Sequence, residues 1–248
     1  IILKNQNHIN LPNPIDTSIF KPMNKDNSRD LWGLPKDKRL VLFGTTLGGT
    51  IDPRKGFKEL IEAFNKLTLD NIELVVFGNT QPKNNTNFGC KVHYLGNLAD
   101  EKNLISIYNA VDLLVTPSLQ ENLSNVIMES LACGTPVVGF DTGGNNDMIN
   151  HKETGYLAKP FESDDLANGI KWVLYRSDYN KLCANARKKI TTEFIHYAFL
   201  EHYIKRLEEF YDKEEEIINI GETVFIERLK TSLKRQKNRD LAKCLYGK

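Results

Sequence analysis

No run of apolar residues in this sequence approaches the roughly 20 that a bilayer-spanning helix needs, and the opening residues show no signal-peptide pattern. Paired cysteines are missing as well. Cys90, Cys133, Cys183 and Cys244 stand far apart without a CxxC, which argues against a disulfide framework or a zinc site and for reduced thiols. There is no Asp-x-Asp pair to hold Mg²⁺. His8, His93, His151, His196 and His202 show no metal-ligand spacing, so neither a metal nor a cofactor is expected. Excess charge of one sign is absent too: 33 Lys and Arg offset 32 Asp and Glu, and a net charge of +1 speaks against nucleic acid as a partner. Neither a G-x-G-x-x-G nor a Walker A motif occurs. The run Phe77-Gly78-Asn79 offers no acidic residue for a ribose, which disfavours a dinucleotide-binding dehydrogenase. The expected compartment is the cytoplasm.

What is present is an ordinary globular balance, 40% hydrophobic and 26% charged, over a length ample for a real core. From about residue 39 to 190, apolar runs alternate with segments of helical period. "RLVLFG" (39–44), "IELVVFG" (72–78), "KVHYLG" (91–96), "DLLVTPS" (112–118) and "TPVVGFD" (135–141) read as short buried strands. Phe57, Leu60, Ile61, Phe64 and Leu67 repeat at helical spacing between the first two, and Leu104, Ile107, Tyr108 and Val111 repeat before the fourth. Residues 124–133 and 163–175 read as further helices. Such alternation implies an α/β fold with a doubly wound, Rossmann-like parallel sheet. Ligands of these sheets sit beyond the carboxyl ends of the strands. His93, within an apolar strand, reads as a structural histidine.

The organisation follows from composition. Residues 1–27, with the Pro- and Asn-rich "LPNPIDTSIFKP", read as an interdomain linker and entry segment, so a further N-terminal portion is expected. Residues 28–190 form the ligand-binding domain, 191–213 a C-terminal helix, and 214–248 a basic helical appendage. That appendage reads as a solvated helix or as a contact for an anionic membrane surface through Arg228, Lys230, Lys234 and Arg235.

Two turns carry chemistry. In "FGTTLGGTIDPRKGFKELIEAF", Gly44, Gly48, Gly49 and Gly56 free the backbone while Arg54 and Lys55 stand before a helix, an arrangement suited to an anion. In "PSLQENLSNVIMESLACGTPVV", Pro117 and Ser118 end a strand and Glu121 falls in the following loop. Ser124 or Asn125 is a good N-cap, and Glu129 stands about five residues into the helix. A diphosphate on that N-terminus would leave one carboxylate for hydroxyl groups on each side of it.

These motifs, in this order, resemble the C-terminal, donor-binding domain of retaining GT-B glycosyltransferases, family 4. The Glu-x7-Glu segment is "PSLQENLSNVIMESLACGTPVV", and the family's lysine-glycine turn appears as "GTTLGGTIDPRKGFKELIEAF". "GNLADEKNLISIYNAVDLLVTPS", "NPIDTSIFKP" and "DTGGNNDMI…TGYL" match three further family segments, so the resemblance spans about residues 11–212. It implies transfer of a hexosyl group from a nucleotide-diphosphate sugar, UDP- or GDP-linked, with retention of configuration and without a metal. It implies that Glu129 holds the ribose and Glu121 the sugar. Asn122, Leu123, Ser124 and Asn125 would offer donors to sugar and phosphates, Lys55 with Arg54 would neutralise the diphosphate, and Gly96, Asn97 and Leu98 would border the base. The acceptor domain is implied to be missing from this chain. The sequence departs from the family at Thr45, where the family has a phosphate-binding Arg, and at Asn122-Leu123-Ser124, where it has Gly-Phe-Gly. These departures leave open a non-catalytic nucleotide- or partner-binding domain, or a sugar-nucleotide epimerase.

Overall fold

The computed structural model describes residues 15–44, 52–67, 71–78, 87–98, 100–194 and 204. Two compact units divide the chain, one of residues 17–191 and one of residues 1–16 with 192–248. In the second, the Ile15 amide donates to the Phe194 carbonyl at 2.9 Å, and Ile15, Phe194 and Ile204 are buried.

The first unit is built on six strands: β1 (Arg39–Gly44), β2 (Ile72–Phe77), β3 (Val92–Tyr94), β4 (Leu113–Thr116), β5 (Val137–Phe140) and β6 (Gly155–Ala158). All pair in parallel, in the order β3-β2-β1-β4-β5-β6. The expected doubly wound, Rossmann-like fold is therefore the observed one. The helices are α1 (Lys25–Trp32), α2 (Phe57–Asn65), α3 (Glu101–Ala110), α4 (Asn125–Ala132), α5 (Asn145–Met148), α6 (Ser163–Leu174) and α7 (Tyr179–Glu193). Val41, Phe43, Leu74, Val76, Leu113, Val115, Val138 and Phe140 pack on α2 and α6 in one cluster. The alternate residues Leu40, Leu42, Val75, Leu114 and Val137 face the other way and are equally buried. Covering both faces explains why these strands read as unbroken apolar runs instead of alternating patterns.

Helices α1, α5 and α7 and strand β6 fell outside the sequence reading. Strand β6 has only Tyr156, Leu157 and Ala158 after a glycine, too short a run to stand out. Helix α1, "KDNSRDLW", has no continuous apolar stripe, and residue 27, the expected end of the linker, lies inside it. Helix α7 begins at Tyr179 and reaches Glu193, well before the helix expected from residue 191. The basic segment bearing Arg228, Lys230, Lys234 and Arg235 lies outside the described residues. Among the described residues no helix is long and apolar enough to cross a membrane.

One buried carboxylate ties the amino edge of the sheet together. Asp112, just before β4, accepts from Arg29 Nη2 at 2.9 Å, from Lys25 Nζ at 2.8 Å and from the Leu40 amide at 2.8 Å. Its backbone carbonyl accepts from the Tyr179 hydroxyl at 2.6 Å. Arg29 in turn donates to the carbonyls of Ala110, Pro35, Lys36 and Lys38. The side chains of Arg29 and Asp112 are each only 4% exposed, so neither charge has water as an alternative partner. Arg187 of α7 donates to the carbonyls of Phe20, Ala132 and Thr17, joining the entry segment to the end of α4. His93 pairs with Glu73 across β2 and β3 at 2.6 Å, the structural part expected of it. Replacing Asp112 by Ala strands a buried guanidinium, and a loss of about 3–5 kcal/mol is expected. Denaturant titration checks this: the midpoint should fall with the slope unchanged.

Candidate active site at the carboxyl edge of the sheet

In an open parallel sheet a crevice opens at the carboxyl edge where the strand order reverses, between two neighbouring strands whose following connections leave to opposite sides. In this sheet that place lies between β1 and β4. A cavity of about 200 Å³ occupies it. Five expected residues line it: Lys55, Glu121, Leu123, Ser124 and Asn125. Phe43, Gly44, Thr116, Ser118 and Val126 line it as well; of these the sequence marks Gly44 for backbone freedom and Ser118 as a strand end, and Phe43, Thr116 and Val126 were not singled out.

Backbone contacts hold the crevice in shape. A 3-10 turn, Pro53–Lys55, is capped by Asp52, whose carboxylate accepts from the Arg54 amide at 3.0 Å. Gly56 follows with φ 68°, and a Cβ there would lie 1.7 Å from the Pro117 carbonyl oxygen. The Leu119 amide donates to the Arg54 carbonyl at 2.7 Å. This pressing of 54–56 against 117–119 sets Lys55 Nζ 3.2 Å from Glu121 Oε2, with the two side chains 32% and 15% exposed. From the other side come Gly143 and Gly144. A Cβ on either would lie 1.7 or 1.8 Å from the carbonyl oxygens of Glu121 and Asn122 respectively. The Thr142 hydroxyl donates to the Ser118 carbonyl at 3.0 Å, so the glutamate loop is fixed on both flanks.

The first turn of α4 faces this cavity. Ser124 occupies the N-cap with extended backbone, but its side chain makes no capping hydrogen bond. Helix-terminal N–H groups therefore remain for an anion, and the helix dipole favours negative charge beside them. Thr116 is buried, and among the described residues its hydroxyl has no hydrogen-bond partner. A Cβ on Gly139 would come within 2.7 Å of that oxygen, which accounts for the glycine. The threonine and serine beside Pro117 were read only as the end of a strand, although hydroxyls at the carboxyl end of β4 were the signal of polar lining.

The remaining expected residues stand elsewhere. Arg54 does not line the cavity. Its guanidinium pairs with Asp52 through Nε and Nη2 at 3.0 and 2.8 Å, because the carboxylate that caps the turn lies beside it. Asn122 is exposed, and its amide donates to Glu121 Oε1 at 3.3 Å. Gly96, with φ 69°, accepts from the Gly78 amide at 2.6 Å beyond β3, Asn97 is exposed and Leu98 half-buried, and none of the three lines the cavity. Thr45, Gly48 and Gly49 lie outside the described residues.

Glu129 is also outside the cavity lining, one turn along α4 from Asn125 and on the same face. Its Oε2 accepts from the Tyr108 hydroxyl at 2.8 Å. Burial pushes the Glu129 carboxyl above its ordinary 4.5, with the Tyr108 hydrogen bond opposing and the Glu101 charge adding to the rise. Cys90 and Cys133 are free thiols that burial pushes up to about 11 and about 12, which leaves them unreactive. Among the described residues no group of three His, Cys, Asp or Glu gathers as metal ligands.

The sequence profile of the family described as "Glycosyl transferases group 1" matches residues 24–190. The chain belongs to that family. The D-inositol 3-phosphate glycosyltransferase of Mycolicibacterium smegmatis is 30% identical over 174 residues, which is 65% of this chain and 38% of that protein. The chain spans less than half the length of the curated relatives it matches. Among solved structures, the HepE protein of Anabaena in complex with UDP and glucose aligns with a TM-score of 0.67 at 23% identity, over 80% of this chain and 56% of that one. The C-terminal domain of a glycosyl transferase group 1 family protein from Francisella tularensis aligns with a TM-score of 0.62 at 24% identity, over 73% of this chain and 99% of that domain. The fold is thus that of GT-B glycosyltransferases.

Two outcomes follow from the geometry of this glycosyltransferase domain. Gly144→Ala drives a methyl group into the Asn122 carbonyl, and a loss of about 1–3 kcal/mol in chemical unfolding is expected from overpacking. Glu129→Gln should raise the melting temperature at pH 7. A carboxyl whose folded pKa is raised costs stability above that pKa and costs nothing once pH is below the unfolded value. The gain should therefore shrink as pH falls through the folded pKa and vanish below about 4.5, as followed by thermal melts across pH.

Proposed function

We propose that this chain is the donor-binding half of a retaining, family 4 glycosyltransferase that moves a hexosyl group from a nucleotide-diphosphate sugar to an acceptor sugar or glycan. The observation that carries the proposal is the meeting of Lys55, Glu121 and the N-terminus of α4 in one crevice between β1 and β4. A cation and a row of helix N–H groups suit a diphosphate, whose two charged units need both. The near end-to-end alignment of the Francisella domain supports assignment to the C-terminal half. The acceptor-binding lobe is then supplied from outside these 248 residues.

In this reading the anomeric C–O bond breaks while its electron pair stays with the departing diphosphate. Lys55 and the α4 N-terminus stabilise the growing negative charge, because preorganised donors in a dry cleft cost no reorganisation as charge develops. The role is given to them in place of a metal. Glu121, already 3.2 Å from Lys55, faces the sugar and the positive charge developing at its anomeric carbon. The donor phosphates compete for Lys55, so donor binding redistributes that ion pair. Glu129, farther along the same helix, accepts from the ribose hydroxyls. Arg54 becomes a second phosphate cation only if it leaves Asp52.

A thermal-shift screen against UDP, GDP, ADP and their sugars tests the donor class, since ligands of the native state raise stability with affinity. Calorimetry tests the roles. Glu129→Ala should weaken nucleoside diphosphate binding about 10-fold by losing charge-assisted hydrogen bonds, whereas Glu121→Ala should largely spare it. The reverse ranking would overturn the assignment.

A further inference from the structure

In dinucleotide-binding sheets the ribose is held by an acid at the end of the second strand. Here Phe77 ends β2, and its ring covers the backbone of Gly44: a Cβ on Gly44 would meet Phe77 Cε1 at 2.2 Å. That ring meets Tyr108 of α3 edge to face, with centroids 6.3 Å apart and planes at 84°. Tyr108 is fully buried, and its own carbonyl accepts from the Thr135 hydroxyl at 2.7 Å, so the residue is held at its ring and its backbone. Its hydroxyl ends 2.8 Å from Glu129 Oε2. Burial, with the Glu129 carboxylate beside it, keeps that hydroxyl protonated far above neutral pH, so it donates and the carboxylate accepts. Among the described residues no hydrogen bond engages the other carboxylate oxygen of Glu129.

We infer that Tyr108 is a positioning residue for ribose recognition: its hydroxyl fixes one oxygen of Glu129 so that the other is presented to the vicinal hydroxyls of a ribonucleotide. The inference rests on the reading of Glu129 given under the proposed function and deepens it. An unheld glutamate on a helix face samples several rotamers, and ordering it would be charged against ligand binding. A tyrosine anchored in the core removes that cost beforehand. The arrangement also accounts for a ribose acid on α4 when the end of β2 is aromatic. Phe77 is the packing surface that locates Tyr108, and Tyr108 locates the acid.

Calorimetry on the wild-type chain, Y108F and E129A, with UDP, GDP and ADP each beside its 2′-deoxy form, tests this directly. The wild-type chain should prefer one ribonucleotide over its deoxy form, and E129A should lose that preference. Y108F should weaken the ribonucleotide about 5-fold, the worth of one hydrogen bond of about 1 kcal/mol, and change the deoxy form less than about 2-fold. If Y108F weakens both forms alike, or neither, while E129A still abolishes the preference, Tyr108 is only a packing residue and the inference is overturned alone. If E129A keeps the preference, or the wild-type chain binds none of the three, the reading of Glu129 itself fails. Should Y108F not fold, E129Q carries the test, because its amide oxygen remains available to the Tyr108 hydroxyl. Partial retention of the ribose preference supports positioning by Tyr108, and a loss as complete as in E129A overturns it.

Discussion

The buried carboxylate of Asp112 is the contact on which the rest of the molecule is aligned. It sits where β4 begins, takes the Leu40 amide from the start of β1, and receives Arg29 and Lys25 from α1. A charge this well buried is tolerated only when its lone pairs are filled, and here the donors come from β1 and from α1. Its position joins β1 to β4 at the amino edge. Parallel pairing then carries the same two strands to the carboxyl edge, where their ends diverge into loops and leave the cavity. The buried ion-pair cluster and the candidate site are at opposite ends of one strand pair.

At the carboxyl end the local rules that favour stability are relaxed. Helix α4 starts without a side-chain cap, Thr116 keeps a buried hydroxyl without a partner among the described residues, and Glu129 carries a carboxyl raised by its burial. Three glycines accept backbone approaches that no side chain could share. Each departure is costly in isolation, and together they leave N–H groups, a hydroxyl, a lysine and a carboxylate turned toward one small volume. Such local exceptions are characteristic of sites shaped for a ligand. The ion pair of Lys55 and Glu121 partners the two charges within the crevice.

Much of the fold was legible because burial on both faces gives a strand a strong, simple signature. Five apolar runs from "RLVLFG" to "TPVVGFD" mark β1 to β5. Strand β6 was not legible, since it is an edge strand of four residues beginning at a glycine. Helix α1 was not legible either, because it is held by Arg29 and by Trp32 donating to Ser106 instead of by an apolar stripe. At the site, Lys55 and Glu121, named from two separate turns of the sequence, stand 3.2 Å apart although 66 positions separate them. Arg54 was read as a phosphate cation because sequence shows charge, but not that Asp52 caps its turn and claims its guanidinium.

By itself the sequence determined the alternation of strands and helices, hence the parallel sheet, and the motifs that belong to the glycosyl transferases group 1 family. Hydrophobic period and turn residues are local properties, and they suffice for that. Only the tertiary structure decided which polar groups share the crevice, that Arg54 turns away, and that a tyrosine from α3 holds the glutamate of α4. Those outcomes depend on distances between chain segments far apart in sequence. Backbone contacts of Gly56, Gly143 and Gly144, and the packing of Phe77 on Tyr108, set those distances.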